Sequence, residues 1–107
     1  MIRAVFFVHA GTVCGFSLTG HADRAPSGKD IVCAAVSSAA YMTVNTITEV
    51  CRCPADIRQD EQAGQMTVRI AADKAASCRD VLQGFYLHMQ GLAQQYPRHI
   101  QTEYTEV

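Results

Sequence analysis

Charge of neither sign dominates this chain: nine Lys+Arg stand against ten Asp+Glu over 107 residues, a net charge of -1. A surface so balanced lacks the basic stripe that tracks a nucleic-acid backbone and the polybasic cluster that holds an anionic bilayer. Direct nucleic-acid binding and membrane attachment are therefore not expected. Long apolar runs are scarce as well. The opening one extends only from Ala4 to Val8 before His9 interrupts it, and Thr12-Val13-Cys14 is no small-residue cleavage site. No later segment reads as the ~20 apolar residues of a membrane span. The cysteines (Cys14, Cys33, Cys51, Cys53 and Cys78) number five, an odd count that does not suit a secreted disulfide scaffold. Cys51-Arg52-Cys53 is not a CxxC redox pair and lacks the second close pair usual in structural zinc sites. Neither metal nor cofactor is implied. These absences predict a soluble, reducing-compartment protein with free thiols.

What is present is a core. Hydrophobic residues make up 49% and charged residues 18%, which excludes intrinsic disorder. The length predicts one domain over residues 1–107, with neither repeats nor a linker. Residues 2–8 are β-branched and aromatic and read as a buried strand. A turn at 9–12 leads to residues 13–19, where Cys14, Phe16 and Leu18 alternate with Gly15, Ser17 and Thr19, so the two strands form a hairpin. Small and breaker residues make 20–29 a loop. Asp30 stands at an N-cap position. Behind it Val32, Val36, Ala39, Ala40, Val44, Ile47 and Val50 recur at helical spacing until Pro54. The β-branched second half has weak helix propensity, so burial must hold it.

Residues 57–60 read as a strand, Gln62-Ala63-Gly64 as a turn, and Met66, Val68 and Ile70 as the inward face of a further strand. Asp73 is the expected N-cap of a second helix whose stripe runs Cys78, Leu82, Phe85, Met89, Leu92, Tyr96, stopped by Pro97. Residues 100–107 close the chain as a polar strand with Ile100 and Tyr104 inward. The order ββαββαβ predicts an α+β domain with two long helices packed on a mixed β-sheet.

Reactive side chains gather around the first loop: His21, Asp30 and Cys33. Cys33 falls in the first turn of the predicted helix, where unpaired amides and the positive end of the dipole favour thiolate over thiol. A histidine at a strand end could pair with that sulfur as base and then acid. Asp30 has two candidate roles. It can cap the helix, which sets a negative charge near Cys33, or it can orient His21. A buried small cysteine and an edge histidine are the commoner use of such residues.

Gly20-His21-Ala22, a variable loop, and then Gly28-Lys29-Asp30-Ile31-Val32-Cys33-Ala34-Ala35-Val36-Ser37 resemble the signature of the ribosomal-processing cysteine protease family, Prp. The likeness covers essentially the whole chain. It implies a cytoplasmic, homodimeric cysteine endopeptidase that removes a short N-terminal extension from a large-subunit ribosomal protein. Cys33 matches the nucleophile, His21 the general base, and Asp30 an acidic position of the motif. Gly20 and Gly28 bracket the loop that begins at Ala22, and Ser37 is the small polar residue one turn after the nucleophile. Residues 22–29 are expected to act as a lid that closes over a peptide. The alternative is a non-catalytic module that binds a ribosomal protein or an assembling particle through the same cleft.

Overall fold

Branched and aromatic side chains favour extended backbone at the start of the chain, and Ile2–His9 form β1. The chain turns at Ala10 and Gly11, whose φ values of 50° and 81° match the left-handed pair of a two-residue hairpin turn. It returns as β2, Thr12–Thr19. His9 pairs with Thr12 and Arg3 with Thr19, but the register slips between Phe7 and Val8. The slip leaves Cys14 as the extra residue of a bulge, so Val13, Cys14, Gly15 and Phe16 are all buried. The strict alternation expected for β2 is interrupted there.

The computed structural model describes residues 1–21 and 31–107. Helix α1, Ile31–Asn45, widens into a π turn over Thr46–Val50. Two strands follow, β3 (Asp56–Asp60) and β4 (Gln65–Arg69). A 3-10 turn over Ala72–Cys78 then leads into α2, Arg79–Gln95, and β5, Ile100–Glu106, closes the order. The sheet runs β3-β4-β2-β1-β5, antiparallel except for the parallel pair β1–β5. Two helices packed on a mixed five-stranded sheet is the predicted α+β class. Phe6 meets Phe85 and Tyr86 edge-on, with centroids 5.7 and 4.9 Å apart, and Phe85 meets Phe16 at 4.8 Å. Such tilted pairs stabilise the sheet–helix contact beyond the area they bury.

Several expectations need correction. Residues 31–50 form one helical run that is long and apolar enough, by length and composition, to cross a membrane, contrary to the expectation that no such segment exists. In the fold its stripe of Val32, Val36, Ala40, Thr43 and Ile47 is buried in the core, as befits a core helix. Val50 is 75% exposed, because the helix ends short of Pro54. Cys51 N–H donates to Thr46 O at 2.8 Å, and Cys53 N–H reaches back to Ile47 O at 3.0 Å. Arg52 between them takes φ 51°, so Cys51-Arg52-Cys53 is a left-handed helix exit. Thr43 takes an inward place by donating its hydroxyl to Ala39 O at 2.8 Å. Asp73 does not cap α2. It lies inside the 3-10 turn, whose own cap position, Ala71, makes no side-chain bond. Tyr104 is 63% exposed, since β5 is an edge strand with a neighbour on one side only.

Two glycines separate packing from propensity. A Cβ on Gly15 would lie 2.2 Å from Val68 O, whereas one on Gly84 meets nothing within 4 Å. Gly15→Ala should lower stability by roughly 1–3 kcal/mol or more through overpacking. Gly84→Ala, exposed in α2, should raise it by up to about 1 kcal/mol. Urea denaturation of the two variants measures both.

Candidate active site

The end of β2 sets the position of the histidine. Gly20 takes φ 89°, and a Cβ there would lie 2.2 Å from Met1 O, so no side chain fits. Its N–H donates to Gly64 O at 3.0 Å, which ties the strand end to the turn between β3 and β4. That turn is braced by Asp60, whose Oδ1 accepts the Ala63 N–H at 3.1 Å, and by Gly64 N–H donating to Glu61 O at 3.3 Å. The next residue, His21, lays its ring on Gly64: Nε2 is 2.9 Å from where a Gly64 Cβ would stand.

Cys33 arrives from the other side. It is the third residue of α1 and is half-buried, in the first turn of the helix. His21 and Cys33 open into one cavity of about 260 Å³, together with Gly20 and Ser37. Leu18, Val36, Ala40 and Met66 give it an apolar floor, and Gln59, Asp60, Glu61 and Gln65 a polar wall. Tyr41 on α1 and Gln59 on β3 close one side, Gln59 Nε2 donating to the Tyr41 hydroxyl at 2.6 Å.

Four residues singled out from sequence thus share a site: Gly20, His21, Cys33 and Ser37. Ala22, Gly28, Asp30 and the rest of the expected lid lie outside the described residues. Sequence reasoning missed Tyr41, Gln59, Asp60 and Gly64. The turn at Gln62-Ala63-Gly64 was legible, but nothing local ties it to His21, because sheet pairing across β2 and β4 makes that contact.

The remaining thiols sit elsewhere, and no two of the five cysteines are joined in a disulfide. Cys14 Sγ donates to Phe7 O at 3.6 Å, and Cys53 Sγ to Lys74 O at 3.6 Å. Cys78 lies beside Cys53 and 3.7 Å from Ser77 Oγ. Burial pushes the Cys14 thiol above its ordinary value and the Cys78 thiol up to about 11. Held as neutral thiols, both are poor nucleophiles. Among the described residues, no three His, Cys, Asp or Glu side chains are disposed to hold a metal.

The family model of cysteine protease Prp matches residues 1–101. The chain belongs to that family. A Prp relative, the ribosomal processing cysteine protease Prp of Staphylococcus aureus, is 29% identical over 94 residues, 88% of this chain and 89% of the relative. The crystal structure of the S. aureus Prp in complex with a covalently linked product peptide superposes with a TM-score of 0.91 at 28% identity. It covers 98% of this chain and 100% of that one. The protein SMU.848 from Streptococcus mutans gives 0.86 at 29% identity, over 100% and 96% of the two chains. The fold class and the enzyme class, a cysteine protease, hold.

A thiol kept neutral by folding links stability to pH. The unfolded chain releases the Cys78 proton near the ordinary 9.0 and the folded chain near about 11, so alkali favours the unfolded state in between. The contribution is full below pH 9 and is lost as pH rises toward 11. Cys78→Ala should flatten the fall in stability across that window by up to about 1.4 kcal/mol per pH unit. Urea midpoints for the parent and the variant at stepped pH test this.

Proposed function

We propose that this Prp family member is an endopeptidase that removes a short N-terminal extension from a large-subunit ribosomal protein. Cys33 is its nucleophile and His21 its general acid and base. The observation that carries this is the meeting of Cys33, at the start of α1, and His21, at the end of β2, in one cavity. The substrate class comes from the relatives' role in ribosomal processing and from the product peptide on the S. aureus Prp. The same kinship supports a single cytoplasmic protease domain over residues 1–107 that works as a homodimer. It also favours an enzyme over a non-catalytic binding module. Asp30, Ala22 and Gly28 enter through the motif alone.

The chemistry follows from the two groups. Cys33 gives its thiol proton to His21 as its sulfur attacks the scissile carbonyl carbon. The C–N bond breaks as His21 gives its proton to the leaving amine, and a thioester remains on Cys33. His21 then takes a proton from water, which attacks the thioester and releases the extension with a new carboxylate. A route for the peptide is at hand. Strand β3 is exposed along its whole length and lies at the sheet edge, and its Gln59 and Asp60 line the cavity. An extended segment added to that edge would gain main-chain hydrogen bonds and be led to Cys33.

Incubation with the host's own ribosomal protein precursor, read by mass spectrometry, should show loss of the extension. Cys33→Ala should abolish cleavage while shifting stability by no more than about 1 kcal/mol. His21→Ala should slow cleavage at least ~100-fold. Cys51→Ala and Cys53→Ala should leave the rate nearly unchanged. Processing by Cys33→Ala at the parent rate would falsify the assignment.

A further inference from the structure

We propose that the β3–β4 turn, through Gly64 and the Asp60 that braces it, is the seat that orients the His21 ring. This rests on His21 acting as the acid and base. Gly64 is a positioning residue here, acting through His21.

Three observations carry the proposal. The ring of His21 stands where any Gly64 side chain would be, with Nε2 at 2.9 Å and Cε1 at 3.0 Å from the Cβ position. The contact is thus made by the Nε2–Cε1 edge of the imidazole. The turn is also joined to the residue before the histidine by the Gly20 N–H···O=C Gly64 bond of 3.0 Å, which ties the seat to the strand end that carries the ring. Finally, Gly64 has φ 64°, and the turn holds its shape through the Asp60 carboxylate accepting the Ala63 N–H. A residue chosen only for left-handed backbone could be asparagine. Contact with the ring adds a second demand, the absence of a Cβ. A methyl group there can be relieved by swinging the imidazole away, which leaves the fold in place and the base misdirected. A displacement of about 1 Å in a catalytic group can cost on the order of 100-fold in rate.

Gly11 supplies the control. Its φ of 81° is left-handed like that of Gly64, but a Cβ there meets nothing within 4 Å. Gly11→Ala thus carries the backbone cost without the collision. Turnover of a synthetic peptide spanning the extension junction would be measured for Gly64→Ala and Gly11→Ala, each in the parent and in the His21→Ala background. Gly64→Ala should lower kcat at least about 10-fold in the parent and by less than about 2-fold when His21 is already gone, because coupled residues are not additive. Gly11→Ala should stay near the parent rate. Asp60→Ala should lose kcat and Asp60→Asn recover it, since the amide oxygen still accepts the Ala63 N–H. The His21 ring proton resonances should shift in Gly64→Ala and not in Gly11→Ala.

Full kcat in folded Gly64→Ala overturns the proposal. So does an equal loss in both backgrounds, which would mean that the methyl obstructs the peptide directly. If Gly64→Ala does not fold, the Asp60 pair decides: equal turnover of Asp60→Ala and the parent overturns the seat. Parent-like turnover by His21→Ala would sink the acid–base assignment, and the ring resonances would then still decide the seat.

Discussion

Gly20 is held from two sides at once: its α-carbon faces Met1 O with no room for a side chain, and its N–H is bound to Gly64 O. The active-site geometry depends on this closure. Strand β2 lies in the middle of the sheet, between β4 and β1, so its end inherits the rigidity of both neighbours. The left-handed turn at Gly20 is followed directly by His21, which lines the cavity that Cys33 also lines. A histidine on a free loop would lose much of its catalytic advantage to conformational entropy. A histidine one residue past a clamped strand keeps most of it.

Helix α1 answers a different demand. Its first turn must present Cys33 half-buried, while the rest must be anchored firmly enough for the sulfur to hold its place. Anchoring comes from Val32, Val36, Ala40 and Ile47, all within the core, and not from intrinsic propensity, which is poor through Thr43-Val44-Asn45-Thr46-Ile47-Thr48. Thr43, Thr46 and Thr48 each return their hydroxyl to the carbonyl four residues back. That satisfies polar groups on an otherwise apolar helix but loosens its hydrogen-bond ladder. The ladder widens to a π turn over Thr46–Val50, at the end far from Cys33.

The five thiols of this small protease sit in different surroundings. Cys14, Cys53 and Cys78 are buried and donate to, or sit beside, neutral oxygen or sulfur, and burial holds the Cys14 and Cys78 thiols above their ordinary value. Cys33 alone occupies the first turn of a helix and opens into the cavity that holds His21.

The sequence by itself determined the element order, the hairpin of β1 and β2, the stripe Cys78, Leu82, Phe85, Met89 of α2, and the pairing of His21 with Cys33 as candidates. Each is a local signal, carried by alternation, by a 3.6-residue period or by a short motif. Only the tertiary structure decided the rest. The bulge at Cys14, the early exit of α1 at Arg52 and the 3-10 turn around Asp73 are backbone choices among states of similar local energy, settled by packing. Gln59 and Tyr41 meet because β3 lies at the sheet edge beside α1, and Gly64 meets His21 because β4 pairs with β2. Contacts of that kind join residues distant in the chain through the order of strands, and strand order leaves no trace in the periodicity of any one segment.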